Sequence, residues 1–222
     1  MQNMKRCLLA ILLAITACAP STPSATTSVV SVYVTAAAQP WLAKVYTCGA
    51  QQATTIRLSD TAVDADVTLR LGEPVNLGMP AFQIDSEDIL VVANPARSSD
   101  RLTADQVRGL FAGRIDDWGV IDPSKGGQVQ VWVFAQGEDV EQAFIKTLAG
   151  SPIVSSARLA TSPQEMSKAI AEDANAVGVL TRHWKTAEVS DVFTVVSAPV
   201  LALTAGEPVG AVKSVLACLQ GG

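Results

Sequence analysis

The chain has 222 residues, of which 49% are apolar and 17% charged, with a formal net charge of −5. This describes a packed globular protein rather than a disordered one, and a short leader would leave about 200 residues, enough for one compact domain or two small lobes. No Lys/Arg cluster interrupts the acidic balance, which argues against nucleic acid as a partner and against attachment to anionic lipid through a basic patch.

In chain order, Lys5 and Arg6 precede the apolar run Cys7 to Ala17. That run is far short of the roughly 20 residues a bilayer span needs, so it reads as a signal peptide, residues 1–17. It ends Ile15-Thr16-Ala17-Cys18. This tetrapeptide resembles the lipobox of bacterial lipoproteins, which implies cleavage before Cys18 and acylation (palmitate among the acyl groups) of the new N-terminus. Several acyl chains give stable anchoring where one is marginal. The alternative is an ordinary secretory signal with a Cys at the cut by chance. Residues 18–27 are polar and contain Pro, as a tether to the membrane would be. The expected location is the extracytoplasmic face of a membrane, periplasmic or outer.

Ser28 to Thr35 is rich in β-branched residues and predicts a strand. Ala36 to Pro40 turns into a helix near Trp41 to Tyr46, and Thr55 to Ser59 and Ala65 to Leu71 predict short strands. Ile89 to Ala93 is a continuous apolar run of the kind buried on both faces, broken by Asn94-Pro95. Leu102 to Phe111 opens on a Thr cap and predicts a helix that ends at Ala112-Gly113-Arg114. Val129 to Phe134 predicts a strand, Glu138 to Leu148 a helix with an apolar stripe, and Ser162 to Glu172 a helix with Ser162 and Glu165 at capping-box spacing. Ala176 to Thr181, Val192 to Val196 and Val200 to Leu203 predict strands, and a final helix runs from Pro208 or Val209 to Leu219. Strands alternating with helices predict an α/β fold with mostly parallel pairing.

Of four cysteines, Cys7 leaves with the signal and Cys18 is lipidated, which leaves Cys48 and Cys218. In an oxidising compartment they can form a disulfide tying the two ends of the domain together; the other reading is two buried free thiols. Two Cys and a single His without ligand spacing make no metal site. No nucleophile elbow, P-loop or dinucleotide glycine motif is present, so neither an enzyme nor a cofactor is expected. His183, beside Trp184, reads as packed or exposed rather than catalytic.

The block Leu102 to Trp118, the strand Asn175 to Leu180 and the segment Ala198 to Pro208, in that order, resemble the type 2 periplasmic substrate-binding proteins, in their phosphate-binding-protein-like branch. The resemblance spans roughly Ser28 to Leu219. It implies two α/β lobes around a central cleft, lobe one from 28–94 and 187–222 and lobe two from 95–186. The chain would cross between them near Asn94 and near Trp184. It further implies a monomer that captures a small solute and presents it to an ABC permease.

In the phosphate binders of this family, small hydroxyl residues, a Gly-Ser-Gly-Thr type loop and an Arg hold the anion at helix N-termini. Here Phe134 stands where the Arg would be, and Glu138, Asp139 and Val140 replace Ser, Gly and Thr. Two unit charges about 4 Å apart at an effective dielectric near 20 cost about 4 kcal/mol, so phosphate is not the expected ligand. Glu138 and Asp139 read as helix-start electrostatics or as a pair facing a cationic ligand. The candidate ligand-binding set is Thr35, Ala36, Gln39, Arg70, Gln136, Gly137, Glu138 and Asp139. Arg70 reads equally as a surface or ion-paired residue, and Ser98, Ser99 and Ser162 as capping or loop residues before ligand contacts. The expected function is the solute-binding component of an importer. The alternative is a sensor or surface interaction module that keeps the fold without transport.

Overall fold

The computed structural model describes residues 27–97, 101–149 and 152–221. The signal segment, Cys18, the tether up to residue 26, and Ser98 and Ser99 lie outside the described residues.

Among the described residues, eight strands form one mixed sheet. They are β1 (Ser28–Val34), β2 (Thr54–Leu58), β3 (Val67–Leu71), β4 (Ala81–Ala93), β5 (Gln130–Phe134), β6 (Arg158–Ala160), β7 (Ala176–Thr181) and β8 (Ser190–Leu203). Their order across the sheet is β2-β1-β3-β8-β4-β7-β5-β6. The helices are α1 (Leu42–Gln51), α2 (Ala104–Phe111), α3 (Asp139–Phe144), α4 (Pro163–Glu172) and α5 (Gly210–Gln220). The fold is α/β, as expected, with β2-β1-β3 at one end of the sheet and β7-β5-β6 at the other.

Pairing departs from the expected mostly parallel pattern. The outer pairs β1–β2, β1–β3, β5–β6 and β5–β7 are parallel, but β3–β8, β4–β7 and the long β4–β8 ladder are antiparallel. Two segments hid this in the sequence. Residues 81–88 contain Asp85, Glu87 and Asp88, which disfavour strands locally; pairing with β8 overrides that. Pro199 reads as a break between two strands, yet β8 continues through it. The register Leu71↔Val200 places Gly72 opposite Pro199, and Gly72 N–H donates to the Pro199 carbonyl at 2.8 Å. Proline has no N–H to return the bond, so the β3–β8 ladder stops there.

The core follows the apolar runs. Ile89 to Ala93 are fully buried, and all six residues of β7 are buried between β4 and β5. The 102–118 block proves to be packing and turn chemistry. Thr103 and Gln106 form a reciprocal capping box at the start of α2. Gly113, at φ +69°, ends that helix in the left-handed region. Phe111 meets Phe144 with ring centroids 4.6 Å apart. Trp118, 1% exposed, donates its indole N–H to the Asn175 carbonyl at 3.0 Å.

Two helices differ from expectation in detail. The predicted Glu138–Leu148 helix is α3 followed by a π-helical turn at Ile145–Ala149. At α4 only half of the expected capping box forms. Ser162 Oγ accepts from Glu165 N–H, but Glu165 Oε2 instead accepts from the N–H and Oγ1 of Thr161. At the sheet's other end, α1 packs against α5, and Cys48 and Cys218 are joined in a disulfide with Cα atoms 5.7 Å apart.

Candidate functional site

Thr35 follows the last residue of β1, and Arg70 and Leu71 close β3. These parallel neighbours end side by side, at one wall of the cleft. Asp139 opens α3 on the other wall, after β5 and the turn at Gly137, which needs a left-handed residue (φ +96°). The Asp139 carboxylate crosses the gap. Its Oδ2 accepts from Thr35 Oγ1 at 2.6 Å and from Leu71 N–H at 2.8 Å, and its Oδ1 pairs with Arg70 Nη2 at 2.8 Å. The carboxylate is 4% exposed and the Arg70 side chain 14%.

Pro199 helps orient this arginine. The Gly72 carbonyl, which receives no N–H from Pro199 opposite, accepts from Arg70 Nε at 3.1 Å. The guanidinium is thus tied at Nε to the Gly72 carbonyl as well as paired through Nη2 with Asp139.

Burial pushes the Asp139 carboxyl above the ordinary carboxylate range. The Arg70 guanidinium and the hydrogen bonds from Thr35 and Leu71 pull the other way. A buried pair of this kind costs several kcal/mol per ion in lost hydration, offset only by close partners such as these.

The expected set therefore divides. Thr35, Arg70 and Asp139 come together. Ala36 begins a 3-10 turn, Ala36–Trp41, beside them. Gln136 and Gly137 line a cavity of about 840 Å³ together with Arg70 and Asp139. Glu138 is exposed and makes no capping hydrogen bond, so it and Asp139 face different surroundings. Gln39 lies elsewhere, on a second cavity of about 310 Å³ with Leu58 and Trp184.

Several residues on the large cavity carry no sequence signal of a site. Val75 and Leu77, exposed on the loop after β3, and Ile145 supply apolar surface. Glu141, Gln142 and Lys146 supply polar groups on the α3 side. Glu141 Oε2 accepts from Gly137 N–H at 3.1 Å, and Gln142 Nε2 donates to the Gly137 carbonyl at 2.6 Å, so the turn is held by its own helix.

His183 is packed and half exposed. Its backbone N–H donates to Glu87 Oε1 at 3.1 Å, its ring Nδ1 is paired with Glu87 Oε2, and its ring lies 4.7 Å from that of Trp41. Trp41 Nε1 donates to Asp85 Oδ2 at 2.8 Å, which, foremost among several influences, holds the Asp85 carboxyl below its ordinary value. Glu87 is buried on β4; nothing in its local sequence announces the pairing, because its partner is 96 residues away. Among the described residues no cluster of three or more His, Cys, Asp or Glu could hold a metal, and no helix is long and apolar enough to cross a membrane.

No family model and no curated protein matches the chain. Solved structures do. A protein from Clostridium perfringens, assigned as a phosphate ABC transporter substrate-binding protein and crystallised with bound phosphate, superposes with a TM-score of 0.75 at 16% identity, covering 86% of this chain and 93% of that one. An ABC-type phosphate transport receptor from Vibrio cholerae gives 0.67 at 15% identity, covering 86% and 93%. A variant of the OxyR2 regulatory domain from Vibrio vulnificus gives 0.62 at 10% identity, covering 87% and 95%. At these identities the likeness is one of fold, shared by binding proteins and by regulatory domains.

Proposed function

We propose that the chain is an extracytoplasmic solute-binding protein, cut before Cys18, anchored to a membrane by acyl groups there, and serving an ABC importer as its substrate-binding component. In this reading lobe one comprises 28–94 and 187–222, and lobe two 95–186. The observation that supports a solute is the cavity of about 840 Å³ at the cleft, within the size range of small-molecule sites. Its walls combine apolar surface with Gln136, Glu141, Gln142 and Lys146. The Cys48–Cys218 disulfide suits an oxidising compartment.

The solute is not free phosphate. The donors that converge on the cleft, Thr35 Oγ1, Leu71 N–H and Arg70, are already turned to the Asp139 carboxylate. An incoming anion would have to displace that carboxylate or sit beside it against like-charge repulsion.

A second reading, a sensor or surface interaction module without transport, is favoured by that same bridge across the cleft. Resemblance to regulatory domains as well as transport receptors is in keeping with it.

The test is a thermal-shift screen of the full chain in detergent against phosphate, sulfate, amino acids, amines and sugars. A solute at 100 times its Kd adds about 2.7 kcal/mol, or roughly 5–11 °C for a chain of this size. A shift with a neutral or amine-bearing solute supports the proposal. A shift with phosphate overturns the exclusion of that anion, and silence across the panel overturns the importer reading.

A further inference from the structure

We propose that Thr35 Oγ1, Leu71 N–H and the Arg70 guanidinium form a carboxylate-sized oxyanion site whose resident occupant is the chain's own Asp139, so that the cleft is held shut without any solute. The inference goes beyond the proposed function: it concerns the chain before solute arrives and stands whether solute is imported or merely sensed.

Three observations support it. The partners seen for the Asp139 carboxylate all come from the far wall: one hydroxyl, one backbone N–H and one guanidinium, each within 2.6–2.8 Å. They meet both oxygens of the carboxylate, as a set built for an anion would. The partners are held independently of Asp139. Arg70 Nε is tied to the Gly72 carbonyl, Thr35 N–H donates to the Leu69 carbonyl at 3.0 Å, and the Leu71 N–H is presented by a strand paired on both sides. Finally, the cavity lies beside the bridge rather than inside it, since Arg70 and Asp139 form part of its wall. A solute therefore meets a preformed pocket and need not contribute the free energy of closure.

If Asp139 is a built-in anion, a free one should replace it. The experiment is hydrogen exchange read by mass spectrometry on the full chain in detergent, following the segments 67–72 and 134–142, with 176–181 in β7 as the core reference. Wild type without solute should show slow exchange in both cleft segments. Asp139→Ala should exchange at least tenfold faster there and keep β7 protected. Added sodium acetate, formate or phosphate at tens of millimolar should restore protection in the variant in a saturable way and leave wild type unchanged.

Fast exchange at the cleft segments in solute-free wild type would overturn the proposal, and so would failure of all three anions to protect the variant. If Asp139→Ala also loses protection in β7, Thr35→Val replaces it. That change removes one donor and keeps the ion pair; faster exchange in both cleft segments then supports the bridge, and unchanged exchange overturns it. Phosphate binding by wild type in the thermal screen would sink the proposed ligand exclusion alone, whereas these exchange results bear on closure.

Discussion

Breaking the Cys48–Cys218 disulfide removes the covalent link between α1 and α5, and its effect can be worked from the chain. The bridged residues are 170 positions apart. The loop-closure expression gives an entropy near 17 cal/mol/K in magnitude, or about 5 kcal/mol at 25 °C, which the unfolded chain regains when the bond is lost. A folded chain of this size shifts its melting temperature by roughly 2–4 °C per kcal/mol. The double change Cys48→Ala with Cys218→Ala should therefore lower Tm by about 10–20 °C. The assay is calorimetry of the full chain, oxidised and reduced, beside the double variant. The reduced wild type and the variant should melt together, well below the oxidised chain. A difference under about 5 °C would refute the reasoning, because it would mean that the unfolded chain already holds its ends together or that the bond does not form.

Other outcomes follow from single contacts. Phe111→Ala empties a buried site 2% exposed against Phe144 and should cost about 3–5 kcal/mol by urea denaturation; a loss below 1 kcal/mol would contradict the packing. Ser162→Ala removes the acceptor for Glu165 N–H at the start of α4 and should cost about 1 kcal/mol in the same assay, and no loss would show that the cap is dispensable. Burial raises the Asp139 carboxyl, so its favourable contribution is full below the unfolded value of about 3.9 and is lost as pH rises through the higher folded value. Asp139→Asn cannot ionise, so the stability of wild type relative to this variant should fall as pH rises across that window. Urea midpoints measured from pH 4 to 7 read this directly, and a gap that widened with pH would reverse the sign of the argument.

The proposed N-terminal anchor and the cleft rest on different kinds of information. Ile15 to Cys18 is a local motif, and so are the Thr103 cap, the Gly113 helix end and the apolar runs of β4 and β7; local patterning was enough to read an α/β chain, while the two-lobed expectation came from a family resemblance. Thr35, Arg70 and Asp139 were also legible as candidates, because each sits where a strand ends or a helix begins. Their union was not, since Asp139 is 104 residues from Thr35 and 68 from Leu71. Sequence offered two meanings for the Glu138-Asp139 pair, and the structure gives each residue its own: Glu138 faces solvent, while Asp139 faces an arginine, a hydroxyl and a backbone amide across the cleft. The same holds for the polar stretch 81–88 and for Pro199, whose strand character comes from a partner far along the chain.

Periodicity, caps and turn residues are set by neighbours a few positions apart, so most helices and the apolar strands could be read from local sequence. Which walls face each other, where Arg70 is held by the carbonyl that Pro199 leaves unpaired, and whether a carboxylate repels a ligand or takes its place are set by contacts between distant segments. Those contacts join segments far apart in the chain, on either side of the central β4–β8 ladder, so no local pattern carries them.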